Sequence, residues 1–157
     1  MDPKLTIRRA NVDDVDTIFR LTAQMADRKL MLARSKYKII TMLPSYFVVE
    51  VEGEVVASGS CSVLWTDMAE ICALAVHDEW QGKGVGKALV DAIIAEGKRL
   101  KLPKLITLTY QIEFFKKMGF QIGNKDSFPR KLWRECLECP KLEACDETAM
   151  FLDIGDQ

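Results

Sequence analysis

The sequence carries one histidine, His77, in 157 residues. Any catalytic triad or imidazole-based metal centre would have to be built on that side chain. No apolar run approaches the roughly 18 residues a membrane-spanning helix requires. Charge of one sign is missing too: 22 Lys and Arg against 23 Asp and Glu leave a net charge of −1. There is therefore no global basic field to draw nucleic acid. The first ten residues hold Asp2, Lys4, Arg8 and Arg9 and no apolar stretch, so no secretory signal is visible and a cytoplasmic location is expected. In that compartment the five cysteines are expected as thiols or metal ligands. Repeats and low-complexity linkers are absent, and 48% apolar with 29% charged residues suits a soluble globular chain. Residues 1–157 read as a single domain with a cysteine-containing C-terminal segment, 130–157.

What is present begins with an ordered set of elements. Leu5 to Arg8 reads as a strand, and Asn11 as the N-cap of a helix that turns Val12, Val15, Ile18, Phe19 and Thr22 to one face. A second, weaker helical pattern runs from Leu30 to Thr41 and is closed by Pro44. Tyr46–Glu50 and Val55–Leu64 form a hairpin with Glu52-Gly53 at its turn. Met68 to Val76 is a central strand, and Val85 to Leu100 a helix with Val85, Leu89, Ala92, Ile93 and Leu100 along one face. A strand over Leu105–Leu108, a helix over Ile112–Met118, a strand from Phe120 and a closing strand over Ala149–Asp153 complete the pattern. The order predicts an α/β fold with a mixed central sheet flanked by helices.

Between the central strand and the helix after it lies Gln81-Gly82-Lys83-Gly84-Val85-Gly86-Lys87-Ala88. Three glycines at a strand-to-helix junction leave backbone N–H groups uncovered at the positive end of a helix dipole, where a phosphate is well held. A tight turn is the plainer alternative. A Walker A loop is excluded: Ala88 follows Gly86-Lys87 where a hydroxyl is needed, and Gln81 occupies the first glycine position. A dinucleotide fingerprint fails as well, because its third glycine falls on Lys87 or Leu89 and its acidic residue, roughly 20 positions on, falls near Lys104. The region 81–104 holds six Lys or Arg against Asp91 and Glu96, which suits an anionic ligand or a solvated helix face.

What remains, Gln-x-x-Gly-x-Gly, resembles the pyrophosphate loop of the GNAT acetyltransferases. Glu70 to His77 looks like that family's central strand, and Phe114-Phe115-Lys116-Lys117-Met118-Gly119-Phe120 like its second signature. Nearly the whole chain is similar to short bacterial N-acetylglutamate synthase-like proteins, through Met31 to Ser35, Asp67 to Ile71, Leu108 to Tyr110, Phe114-Phe115 and Lys131 to Trp133 in that order. The resemblance implies a GNAT fold and acetyl-CoA as co-substrate, with no metal required. It implies an amine acceptor, foremost the α-amino group of glutamate in arginine synthesis, no nucleic-acid or membrane partner, and a homodimer. Cofactor contacts would come from Leu74, Ala75, Val76, Gln81, Gly82, Lys83, Gly84, Val85, Gly86, Lys87, Phe114 and Phe115. Two departures stand out. Cys72 occupies a position where relatives often have arginine, and Phe115 one where many have a tyrosine that reprotonates the departing thiolate.

Direct transfer needs a base for the ammonium, a donor for the tetrahedral oxyanion and a proton for the thiolate. Glu70 is the candidate base, through water, or else a surface carboxylate at a strand end. Glu113 is expected to face solvent. Backbone N–H groups near Leu74 to Val76 would serve the oxyanion in the family's manner. Tyr110 is the candidate acid, or a half-buried strand-end phenol. Arg34 is the candidate clamp for a substrate carboxylate, with Cys72 beside the acceptor, or a solvated arginine. His77 reads as a loop residue near the cofactor. Cys136, Cys139 and Cys145 are spaced like part of a zinc site but supply three ligands rather than four, so metal, disulfide and packed thiols all stay open. Cys61 and Cys72 read as core residues. The alternative to an enzyme is an acetyl-CoA-binding sensor that has lost catalysis, and other amines or proteins are alternative acceptors.

Overall fold

A computed structural model describes residues 4–31, 34–123 and 148–155. Its strands are β1 (Leu5–Arg9), β2 (Tyr46–Val51), β3 (Glu54–Trp65), β4 (Met68–Val76), β5 (Lys104–Thr109), β6 (Gln121–Ile122) and β7 (Thr148–Asp153). Its helices are α1 (Val15–Asp27), α2 (Lys36–Thr41), α3 (Val85–Arg99) and α4 (Ile112–Lys117). The strands hydrogen-bond in the order β1-β2-β3-β4-β5-β7-β6. β4 and β5 run parallel, with Ala69 opposite Leu105 and Glu70 opposite Ile106, while β1–β2, β2–β3, β5–β7 and β6–β7 are antiparallel. The sheet is therefore mixed, as the element order predicts. The chain divides into two compact units, Met1–Ser62 with Ile71–Glu96, and Val63–Glu70 with Gly97–Gln157.

In the first unit Val15 and Ile18 of α1, Ile39 of α2, Tyr46 and Val48 of β2 and Ala73 of β4 form one apolar cluster. On the other face of β3, α3 comes so close that a Cβ on Gly59 would lie 3.1 Å from Leu74 and 3.2 Å from Leu89. Glycine at this position lets the helix carry Val85, Leu89 and Ile93 into the core, all three buried. Asn11 does act as a cap, accepting from the Asp13 N–H at 2.9 Å while Asp14 accepts from the Asn11 N–H at 2.8 Å. The capped segment is a 3-10 turn over Val12–Asp14 that leads into α1. Val12 is consequently 73% exposed and does not join the apolar face expected of it. The hairpin turn also follows the expectation: Glu52 and Gly53 take φ of 52° and 84°, the left-handed pair a two-residue turn needs.

In the second unit Met68 and Ile106 pack with Leu64 and Phe151. Phe115 of α4 stacks edge-on against Phe114 and Phe120, at centroid separations of 5.0 and 5.1 Å.

Several element boundaries differ from the sequence reading. The helix expected from Leu30 begins at Lys36, because Ser35 caps it by accepting from the Lys38 N–H at 3.1 Å. α3 stops at Arg99, leaving Leu100 40% exposed beyond its end. β6 starts at Gln121 and covers two residues.

Candidate functional site

β4 ends where the His77 N–H donates to the Val56 carbonyl at 2.8 Å. The His77 ring then accepts from the Glu79 N–H through Nδ1 at 3.1 Å, starting a 3-10 turn over Asp78–Trp80. That bond commits Nδ1 as an acceptor, so His77 shapes the turn. Gln81 follows in extended conformation, its Nε2 donating to the Val76 carbonyl at 3.3 Å and to Asp78 Oδ1 at 3.4 Å.

Gly82 and Gly84 stand at φ of 74° and 82°, in the region where a side chain is strained, and nothing lies within 4 Å of where their Cβ atoms would be. Backbone conformation, and not crowding, demands glycine here, and the space above the loop is open. Gly84 starts α3: its carbonyl accepts from the Ala88 N–H at 3.1 Å. The N–H groups of Val85, Gly86 and Lys87 belong to the first turn, where no intrahelical acceptor exists. Val85 is 1% exposed and anchors this end, while residues 81–84 are exposed. Lys83 lies over the Trp80 ring at 5.1 Å, and Lys87 pairs with Asp91 one turn along at 2.8 Å. The loop is thus an exposed run of amides leading into a helix start, with two ammonium groups beside it, an arrangement that suits a diphosphate.

Upstream, Ala73 takes φ of 56° inside β4. A left-handed alanine in a strand breaks the regular alternation of N–H directions and re-aims the peptides that follow, those of Leu74, Ala75 and Val76. Cys72 is buried beside it. Arg34 lies just before α2, 8% exposed, with Nη1 3.9 Å from the Met42 sulfur. A guanidinium so buried is held by protein groups, which rules out the solvated reading.

In the second unit Glu70 is half-buried in β4 and Tyr110 half-buried just past the end of β5. Tyr110 stands four positions beyond Ile106, the register partner of Glu70. At about 3.3 Å per residue this offset sets their Cα atoms roughly 13 Å apart along the strand direction. Glu113 faces solvent, as expected, and Phe114 is half-buried. Phe115 is 2% exposed, a core side chain with no proton to give. Cys61, also buried, has its thiol pKa pushed up to about 11 by loss of solvent, with the Glu96 carboxylate adding to the effect. It is a packing residue. Cys136, Cys139 and Cys145 lie outside the described residues. Among the described residues no group of three or more His, Cys, Asp or Glu could hold a metal ion, and no helix is long and apolar enough to cross a membrane.

A separate polar cleft of about 560 Å³ in the first unit is lined by Arg8, Asp14, Arg20, Glu50, Glu54 and His77 among others. Arg8 is spent there on Asp14, at 2.8 and 2.9 Å, and on Glu50 at 2.9 Å. With carboxylates in excess the cleft does not suit a polyphosphate. One element of the loop has no sequence signal: Arg28, 50 positions away, holds both oxygens of Asp78, Nη1 to Oδ1 at 2.6 Å and Nη2 to Oδ2.

A mixed sheet, a left-handed residue in its central strand and a glycine-rich turn into a helix fit an acyl-CoA-dependent transferase. The chain belongs to the acetyltransferase (GNAT) family, whose model matches residues 13–120. It is 37% identical over 144 residues to an uncharacterized N-acetyltransferase of Chlorobaculum tepidum, covering 92% of this chain and 93% of that one. It is 33% identical over 122 residues to the amino-acid acetyltransferase of Mycobacterium tuberculosis, covering 76% and 70%. Among solved structures, a Mycobacterium tuberculosis protein in complex with CoA and NLQ matches with a TM-score of 0.82 at 26% identity, over 94% of this chain and 98% of that one. N-acetylglutamate synthase from Neisseria gonorrhoeae, complexed with coenzyme A and N-acetyl-glutamate, shares the fold with a TM-score of 0.88 at 20% identity, over 99% of this chain and 36% of that one. This chain is thus an acyltransferase that takes acetyl from acetyl-CoA.

Proposed function

We propose that this acetyltransferase acts on the α-amino group of a small amino acid, with glutamate foremost, and so belongs to arginine synthesis in the cytoplasm. The observation that carries the donor half is the loop Gln81–Lys87, with Gly82 and Gly84 left-handed ahead of α3. The resemblance to proteins named amino-acid acetyltransferase supports the acceptor half.

The diphosphate of CoA lies on the amides of residues 82–87, flanked by Lys83 and Lys87, and the pantetheine arm runs toward Leu74–Val76. The acetyl carbonyl takes an N–H from the peptides re-aimed after Ala73. The amine loses a proton to water relayed to Glu70, attacks the carbonyl carbon, and the tetrahedral oxyanion is stabilised by that N–H. As the C–S bond breaks, Tyr110 donates its phenolic proton to the departing thiolate. Arg34 holds the acceptor's carboxylate, with Cys72 at the wall of that pocket. In the assembled enzyme the chain forms a homodimer.

A second reading, an acetyl-CoA-binding module of weak activity, is favoured by the buried Phe115, which removes one proton donor the family often uses. Release of free CoA thiol from acetyl-CoA, measured across a panel of amino acids, separates the two. Turnover with glutamate supports the enzyme. Tight acetyl-CoA binding with no turnover on any acceptor supports the module.

A further inference from the structure

Resting on the reading of Gln81–Lys87 as the diphosphate loop, we propose that Arg28 is a positioning residue for that loop, acting through Asp78 and Gln81 from the end of α1. The arginine is presented from a fixed point. α1 ends in a Schellman motif, the Leu30 N–H bonding the Met25 carbonyl at 3.0 Å and the Lys29 N–H the Ala26 carbonyl at 2.9 Å. Lys29 adopts φ of 61°, which a lysine accepts only where the surrounding bonds enforce it.

From there the guanidinium closes on both oxygens of Asp78, a fork-to-fork pair that sets direction as well as distance. Asp78 Oδ1 is also 3.4 Å from Gln81 Nε2, whose second bond is to the Val76 carbonyl. The chain Arg28–Asp78–Gln81–Val76 thus ties together both ends of the turn that aims the glycine loop. It has an electrostatic consequence as well. Asp78 lies four positions before Gly82, and without Arg28 its charge would oppose an incoming diphosphate. Both partners are about half exposed, with side-chain accessibilities of 47% and 53%. Such a pair adds little to folding stability, so an effect on ligand affinity is separable from one on the fold.

The test is the Kd of CoA for the full chain, read calorimetrically beside pantetheine, which lacks the diphosphate. Arg28→Ala and Asp78→Ala are each expected to weaken CoA about three- to fivefold, with pantetheine affinity and thermal midpoint nearly unchanged. Arg28→Ala/Asp78→Ala should be no weaker than either alone, since both remove one device. Additive losses would mean that Arg28 meets the ligand directly, overturning the positioning role. Gly84→Val separates the two layers of the argument. If it weakens CoA while Arg28→Ala does not, the loop reading stands and the brace is wrong. If neither variant weakens CoA, the loop reading falls too.

Discussion

Gly84 holds φ of 82° with open space on its Cα, so an alanine there meets no neighbour and bears only backbone strain of about 1 kcal/mol. Strain of that kind is relieved by moving the loop, which is where the diphosphate sits in the proposed complex. Gly84→Ala should raise KM for acetyl-CoA about fivefold and leave the acceptor KM alone. A change confined to the acceptor would contradict the diphosphate assignment. Tyr110→Phe should lower the chemical step about a hundredfold if the phenol protonates the thiolate, read as single-turnover acetyl transfer with acetyl-CoA affinity unaltered. An unchanged rate returns that proton to water. Asp14 belongs to stability. It is buried, capped to Asn11 and doubly bonded to Arg8, and the Arg8 guanidinium holds its carboxyl below the ordinary value of 3.8. A depressed acid stabilises the fold fully above its unfolded pKa, and the contribution is lost as pH falls through the folded value. Asp14→Asn should cost about 2 kcal/mol at pH 7, and the deficit should shrink in urea titrations at pH 3. A deficit that does not change with pH would show that Arg8 contributes nothing through charge. At this scale the sequence left Glu70, Tyr110 and Arg34 each with two readings. For Arg34 burial excludes only the solvated alternative, and the sequence did not show it because accessibility depends on neighbours far along the chain.

Between residues and fold, the elements with strong periodicity and caps were legible. α1, α3 and the β2–β3 hairpin follow their patterns because local propensity, turn chemistry and packing agree. Asn11→Ala should therefore lower stability by about 1 kcal/mol, checked by the urea midpoint; no shift would mean that the 3-10 turn is held by Asp14 alone. Three features were not legible. The segment 30–35 carries an apolar pattern, but α1 ends on a left-handed lysine in place of the usual glycine, so nothing in the sequence marks that chain reversal. Ala73 has the same character, since alanine gives no sign that its backbone leaves the strand region. The Arg28–Asp78 pair joins positions 50 residues apart, beyond any periodic signal.

For the molecule, the mixed strand order places β4 and β5 side by side and parallel, a pairing that needs a crossover, here through α3. The glycine loop lies at the start of that crossover, where α/β proteins bind ligands outside the carboxyl ends of parallel strands. Element order and glycine spacing made this much readable in advance. The acceptor was not, since its recognition rests on individual side chains that neither element order nor glycine spacing singles out. The central claim is acetyl transfer to an amino acid, and the release of CoA thiol from acetyl-CoA tests it most directly. With glutamate offered among the other amino acids, the account predicts turnover that is fastest on glutamate, with the product N-acetylated at its α-amino group. Tight binding of acetyl-CoA without thiol release on any amino acid would contradict it.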